Sequence, residues 1–149
     1  TPDFLTGLTV ALNYDNDRAM VTYPGAMSDL RIADITNEAL SSASHLHLSS
    51  IFLQEGLKPD VVEVFRRAKE LGLSTSFDPQ WDPNEKWDVD LEQLLPFVDV
   101  FLPNESELKA FTSCASIEEA LDSIKAFCNV VVVKNGRAIS CADIRPLSI

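Results

Sequence analysis

The sequence predicts an α/β domain, layered αβα with a parallel central sheet and preceded by a small β hairpin. Three observations carry that expectation. From Asp34 onward, segments with helical spacing alternate with short apolar runs, the order expected of parallel strands joined by crossover helices. Val130-Val131-Val132-Val133 is a continuous apolar run, the kind that a parallel sheet buries on both faces. Ahead of both, Leu8–Leu12 and Ala19–Tyr23 are β-prone runs separated by the Asn- and Asp-rich stretch Asn13–Arg18, which is turn chemistry.

Each element follows from local chemistry. The spacing predicts a helix over Asp34–Ser42 and a strand over His45–Leu48. Val61, Val62, Val64, Phe65, Ala68 and Leu71 recur at helical spacing, with Pro59 suited to the first turn and Gly72 to the stop, so Pro59–Leu71 reads as a helix. A strand over Leu73–Phe77, a proline-rich loop over Asp78–Asp88 and a short helix over Asp90–Pro96 come next. Ser116 and Glu119 form a capping pattern for a helix whose apolar stripe is Ile117, Ala120, Leu121, Ile124, Phe127 and Cys128. From the strand at His45 onward the order thus runs βαβαβαβ.

At 149 residues and 46% hydrophobic, the chain can bury a core. Lys and Arg number 12 against 23 Asp and Glu, and the net charge of -11 argues against a nucleic-acid or anionic-membrane partner. An anionic substrate such as a nucleotide then calls for a divalent cation to mask the repulsion. Cys114, Cys128 and Cys141 are odd in number and form no C-x-x-C pair, against a disulfide framework or zinc site. No apolar run reaches membrane-spanning length, and Thr1-Pro2-Asp3-Phe4 lacks the basic start of a signal peptide, so the expected location is the cytoplasm.

The segment richest in chemistry is Val98-Asp99-Val100-Phe101-Leu102-Pro103-Asn104-Glu105-Ser106-Glu107, an apolar strand that empties into carboxylates at a helix start. In open α/β sheets, ligands bind where strand ends meet helix beginnings. By themselves, Asn104 and Glu107 are equally the signature of helix capping, and capping and ligand binding can coexist there. His45 and His47 share one strand face, a spacing open to a metal, but without a third ligand they read as partly buried strand residues. Trp81 and Trp87 flank the Asp- and Pro-rich loop, where both packing and sugar stacking are open to them.

Asp78-Pro79, Trp87, the run Leu94–Glu107 and Val131-Val132-Val133-Lys134-Asn135-Gly136 agree in order and spacing with the middle of the ribokinase-like, or PfkB-type, carbohydrate kinases, which the chain resembles. The resemblance implies that residues 1–149 are a partial kinase domain, with lid strands over residues 8–26. It implies transfer of the ATP γ-phosphate to a hydroxyl of a small-molecule sugar. Asn104 and Glu107 match the family's Asn-x-x-Glu motif, which holds Mg²⁺ through water. Lys134 and Gly136 fall where its nucleotide loop begins, and Gly25, Ala26, Arg18 and Asp78 fall at sugar-facing positions. After Asp78-Pro79, the Asn and Arg usual in the family are replaced by Gln80 and Asp82. The family's Gly-Ala-Gly-Asp motif, with its catalytic base, does not occur in the sequence, so no catalytic residue is assigned and a fragment inactive by itself is expected. The resemblance also implies a homodimer through the lid strands. The alternative function is a non-catalytic sugar- or nucleotide-binding module. A dinucleotide-binding domain is disfavoured because no strand runs into G-x-G-x-x-G.

Overall fold

A computed structural model describes residues 5–14, 17–135 and 138–143. Strands β1 (Leu8–Tyr14) and β2 (Asp17–Tyr23) form a two-stranded antiparallel sheet of their own. The main sheet has the order β3 (His45–Ser49), β4 (Ser74–Asp78), β5 (Val100–Phe101), β6 (Val130–Asn135) and β7 (Ala138–Asp143). Its first four strands are parallel and β7 returns antiparallel to β6. The helices are α1 (Asn37–Ser41), α2 (Val61–Glu70), α3 (Leu91–Leu94), α4 (Glu105–Thr112) and α5 (Ile117–Ile124).

The core lies where these helices meet one face of the sheet. Register aligns Phe77 with Phe101 and Phe101 with Val131, so all three project to one side. Phe77 and Phe101 stack with ring centroids 5.8 Å apart, Phe65 of α2 meets Phe77 edge-on at 5.9 Å, and Phe111 of α4 meets Phe101 at 6.4 Å. Phe65, Phe77 and Phe101 are fully buried, each contributing about 1.5–3 kcal/mol of transfer free energy. Of the stripe expected of this helix, Val61, Val64, Phe65 and Ala68 are buried, whereas Val62 is half-buried and Leu71, beyond the last helical turn, is exposed.

Several elements differ from the sequence expectation. The helix expected over Asp34–Ser42 is shorter, α1 at Asn37–Ser41 after a separate 3₁₀ turn at Ile32–Asp34, because Thr36 caps a new start by accepting a hydrogen bond from the Ala39 N–H at 3.1 Å. Only Val131 and Val133 of the valine run are buried, whereas Val130 and Val132, on the sheet face away from Phe101, are partly exposed. On that same side His45 and His47 are exposed, not partly buried, and they hydrogen-bond to serines of β4. The His45 Nδ1 lies 2.7 Å from the Ser74 Oγ, and the His47 Nδ1 lies 2.7 Å from the Ser76 Oγ. Strand β7 was not anticipated, and it converts the end of β6 into an arm of a hairpin. No helix among the described residues is long and apolar enough to cross a membrane.

Candidate functional site

The site is assembled at the carboxyl ends of β4, β5 and β6. Strand β5 is only two residues long, and Pro103, with no N–H to donate, helps end it early. Asn104 then starts α4. Its Oδ1 accepts a hydrogen bond from the Glu107 N–H at 2.8 Å, while the Glu107 Oε2 accepts one from the Asn104 N–H at 2.8 Å. This reciprocal cap folds the Glu107 carboxylate back over the helix start, where the residue is only 4% exposed. Next to it, the Lys134 N–H donates to the Pro103 carbonyl at 2.9 Å and a parallel bridge aligns Asn104 with Lys134. The Lys134 ammonium reaches across to the Asp78 Oδ2 at 2.6 Å, tying the ends of three strands together.

The electrostatics of this floor are unusual for a helix cap. Burial pushes the Glu107 carboxyl above the ordinary carboxylate range, opposed by the Asn104 N–H and the Lys134 charge and reinforced by Asp78. The Asp78 Oδ1 is buried and has no hydrogen-bond partner among the described residues. Carboxylate oxygens with spare acceptor capacity suit a hard, hydrated cation. Among the described residues no three His, Cys, Asp or Glu side chains gather to enclose a metal, so a hard cation held here would keep much of its water shell.

Above the floor opens a cavity of about 780 Å³. Asn104, Glu107 and Lys134 line it on the sheet side, and Met20 and Thr22 of β2 line it opposite. Register explains the latter pair: Met20 faces Ala11 and Thr22 faces Thr9 on one side of the hairpin, with the Thr9 and Thr22 hydroxyls 3.0 Å apart. Leu8, Val10, Leu12, Tyr14, Val21 and Tyr23 project from the other side and are exposed.

Gln80 and Trp81, following β4, close one end of the cavity. The Trp81 ring stands edge-on to Trp87 at 5.0 Å, and Trp87 in turn packs against Phe52 at 5.4 Å and Phe111 at 4.9 Å. The two tryptophans thus divide the alternatives: Trp87 belongs to the packing, while Trp81 remains 46% exposed at the cavity. The loop that carries them is held by Asp82, 2% exposed, whose carboxylate accepts from the N–H groups of Asn84, Lys86 and Trp87, each at 2.8 Å.

The remaining candidates fall elsewhere. Gly25 is buried at the root of the hairpin with φ +56°, and Ala26 donates its N–H to the Leu5 carbonyl at 2.9 Å, neither of them in the cavity lining. Asp78 touches the cavity only through Lys134. Arg18 pairs with Asn13 in the hairpin, and its side chain, like the whole of Gly136, lies outside the described residues. Sequence reasoning missed Met20, Thr22 and Leu53 as lining residues. The period-two pattern of β2 contained the signal for the first two, once one hairpin face was assigned to the cavity.

Comparison with known proteins agrees with this architecture. Residues 1–138 match the pfkB family carbohydrate kinases. A protein of Archaeoglobus fulgidus described as an uncharacterized sugar kinase is 28% identical over 120 residues, which are 80% of this chain and 47% of that protein. The chain therefore spans about half the length of the curated relative it matches. The crystal structure of a probable sugar kinase from Rhizobium etli CFN 42 superposes with a TM-score of 0.77 at 20% identity, covering 96% of this chain and 46% of that one. A putative ribokinase II from E. coli, crystallised with ATP and Mg²⁺, gives 0.71 at 21% identity over 91% of this chain and 47% of that one. With its parallel sheet, separate hairpin and acidic helix start placed as described, the chain belongs to the pfkB family of carbohydrate kinases.

Proposed function

We propose that this chain is the central part of an ATP-dependent sugar kinase. The observation that supports it most is the cavity itself, which brings Asn104, Glu107 and Lys134 under the inner face of the β1–β2 hairpin. In this reading, residues 8–26 act as lid strands over the sugar. A sugar hydroxyl oxygen bonds to the γ-phosphorus, the bond to the β–γ bridging oxygen breaks, ADP leaves, and the hydroxyl proton passes to a base outside these 149 residues. Bound Mg²⁺ supplies neutralisation of phosphate charge. Glu107 would hold the ion through water, Asn104 fixes Glu107 by the reciprocal cap, and the Lys134 ammonium would turn from Asp78 to a phosphate oxygen. Gly136 would add a backbone contact to the nucleotide, Arg18 would reach the sugar from the lid, and Gly25, Ala26 and Asp78, which do not line the cavity, would act on the sugar end indirectly, the first two by seating the lid and Asp78 through Lys134.

The outer hairpin face, an exposed apolar surface of Leu8, Val10, Leu12, Tyr14, Val21 and Tyr23, suits contact with a second copy through the lid strands. Its location in a cell would be the cytoplasm, where ATP is plentiful. The test is an assay of the protein from its complete reading frame with ATP, Mg²⁺ and a panel of sugars, read by ADP release. Sugar-dependent release supports the kinase. Nucleotide binding without turnover of any sugar would favour the non-catalytic binding module.

A further inference from the structure

The end of the cavity formed by Gln80 and Trp81 carries features that phosphate binding does not use. Gln80 has φ +59° and Ser50 has φ +58°, two left-handed residues without glycine, each just past the carboxyl end of adjacent strands β4 and β3. Such backbone is uncommon for residues with side chains and concentrates at binding sites. Here it brings the two side chains together: the Ser50 hydroxyl donates to the Gln80 Oε1 at 2.8 Å. The bond fixes the amide with its carbonyl oxygen toward Ser50, which leaves the N–H₂, with no hydrogen bond of its own among the described residues, as the donor Gln80 offers at the cavity. Beside it stands Trp81, held on Trp87 by edge-on contact while its loop is tied down by Asp82. An amide donor next to a braced, half-exposed indole matches the two surfaces of a sugar ring, its hydroxyl rim and its C–H face.

The strand order assigns this end to the acceptor rather than to the nucleotide. In the kinase reading Lys134 on β6 and Asn104 after β5 face the phosphates, whereas Gln80 follows the next strand, β4, and Ser50 follows β3, one further along the sheet. Resting on the kinase reading above, we propose that Gln80 and Trp81 are the acceptor subsite. The Gln80 amide donates to a ring hydroxyl, Trp81 covers the C–H face, and Ser50 positions Gln80. The acceptor is accordingly a closed-ring sugar or cyclitol, not an open-chain polyol.

The experiment uses the full-length protein with cyclic acceptors (a hexose panel and myo-inositol) and open-chain sorbitol. Turnover is followed by ADP release and binding by the change in Trp81 fluorescence. One hydrogen bond or one stacking contact is worth about tenfold in affinity, so Gln80→Ala and Trp81→Leu should each raise the acceptor KM about tenfold and leave the ATP KM within about twofold. Trp81→Phe, which keeps a ring, should lose less than Trp81→Leu. Ser50→Ala should raise the same KM severalfold with kcat held. Gln80→Glu, of nearly the same shape, guards against loss by misfolding and should weaken the acceptor alone. An unchanged acceptor KM, a rise in the ATP KM instead, or preferred turnover of sorbitol would overturn the subsite. Ring-sugar binding seen by fluorescence without phosphorylation would support the subsite and refute the kinase reading. Phosphorylation indifferent to these variants would do the reverse, and neither signal with any sugar would refute both.

Discussion

Asp82 holds the loop that presents Trp81, and removing its carboxylate should cost more than a surface substitution. Its two oxygens accept three backbone N–H groups: Oδ1 takes Asn84, and Oδ2 takes Lys86 and Trp87. Asp82→Ala orphans all three, and at about 1 kcal/mol for each donor the loss comes to about 3 kcal/mol. Asp82→Asn can keep its carbonyl oxygen on the two donors of Oδ2 but must turn its amide toward the Asn84 N–H, so about half that loss is expected. For a domain of this size, 3 kcal/mol lowers Tm by roughly 6–12 °C. There is also a pH signature. Burial by itself pushes the Asp82 carboxyl up, but the three N–H groups and the Lys58 ammonium outweigh it and hold the carboxyl below its ordinary value of 3.8. The stability this contributes is fully present above pH 3.8 and is lost as pH falls through the depressed folded value, so both variants should flatten the acid limb there. Urea titrations from pH 7 to pH 3 give the global number, and the near-ultraviolet circular dichroism of the paired indoles gives the local one. Variants within about 0.5 kcal/mol of the parent, with the indole signal intact, would refute the account of the loop.

Three further outcomes follow from two buried groups. Because burial raises the Glu107 carboxyl in the folded protein, ionising it costs stability as pH rises through the interval above 4.5, so Glu107→Gln should be as stable as the parent or more stable at pH 7.5, with the gap closing toward pH 4.5 in thermal melts. The same variant should weaken Mg²⁺-dependent nucleotide binding about 10–100-fold, read by calorimetry. Cys128, buried and with its thiol pushed up to about 12, should resist alkylation at pH 8 until the chain unfolds, as mass spectrometry of the labelled protein would show.

Much of the architecture was legible because it rests on local patterns. Pro59, the apolar spacing of α2 and Gly72 fix one helix, and Ser116 with Glu119 fixes the start of another. The Asn104–Glu107 box was equally visible, but its second consequence was not. That Glu107 is buried beside Lys134 depends on a bridge between residues thirty positions apart, which no window of sequence contains. The valine run misled in one respect, since hydrophobicity shows what can be buried, not which helices arrive to bury it, and Val130 and Val132 stay partly open. Strand β7 escaped because Ala138–Asp143 mixes small and polar residues and takes its strand character from pairing with β6. Gln80 and Ser50 escaped for a different reason: left-handed backbone at residues other than glycine is imposed by the surrounding fold and leaves little trace in composition.

The root of the hairpin has a mechanical meaning. A Cβ at Gly25 would come within 2.3 Å of the Leu5 carbonyl oxygen and 2.6 Å of the Gly7 nitrogen, far inside the 3.4 Å of ordinary contact, and one at Gly7 would meet the Pro24 carbonyl oxygen at 2.7 Å. The segments that lead into β1 and out of β2 therefore approach with no room for a side chain between them, just where the antiparallel pair begins at Leu8 and Tyr23. Met20 lies five residues from Gly25, about 16 Å at strand rise, so a methyl group forced in at this close approach acts on the placement of the hairpin without altering any residue that lines the cavity. The seat of the cavity roof is thus fixed by two residues that have no side chains and do not line the cavity.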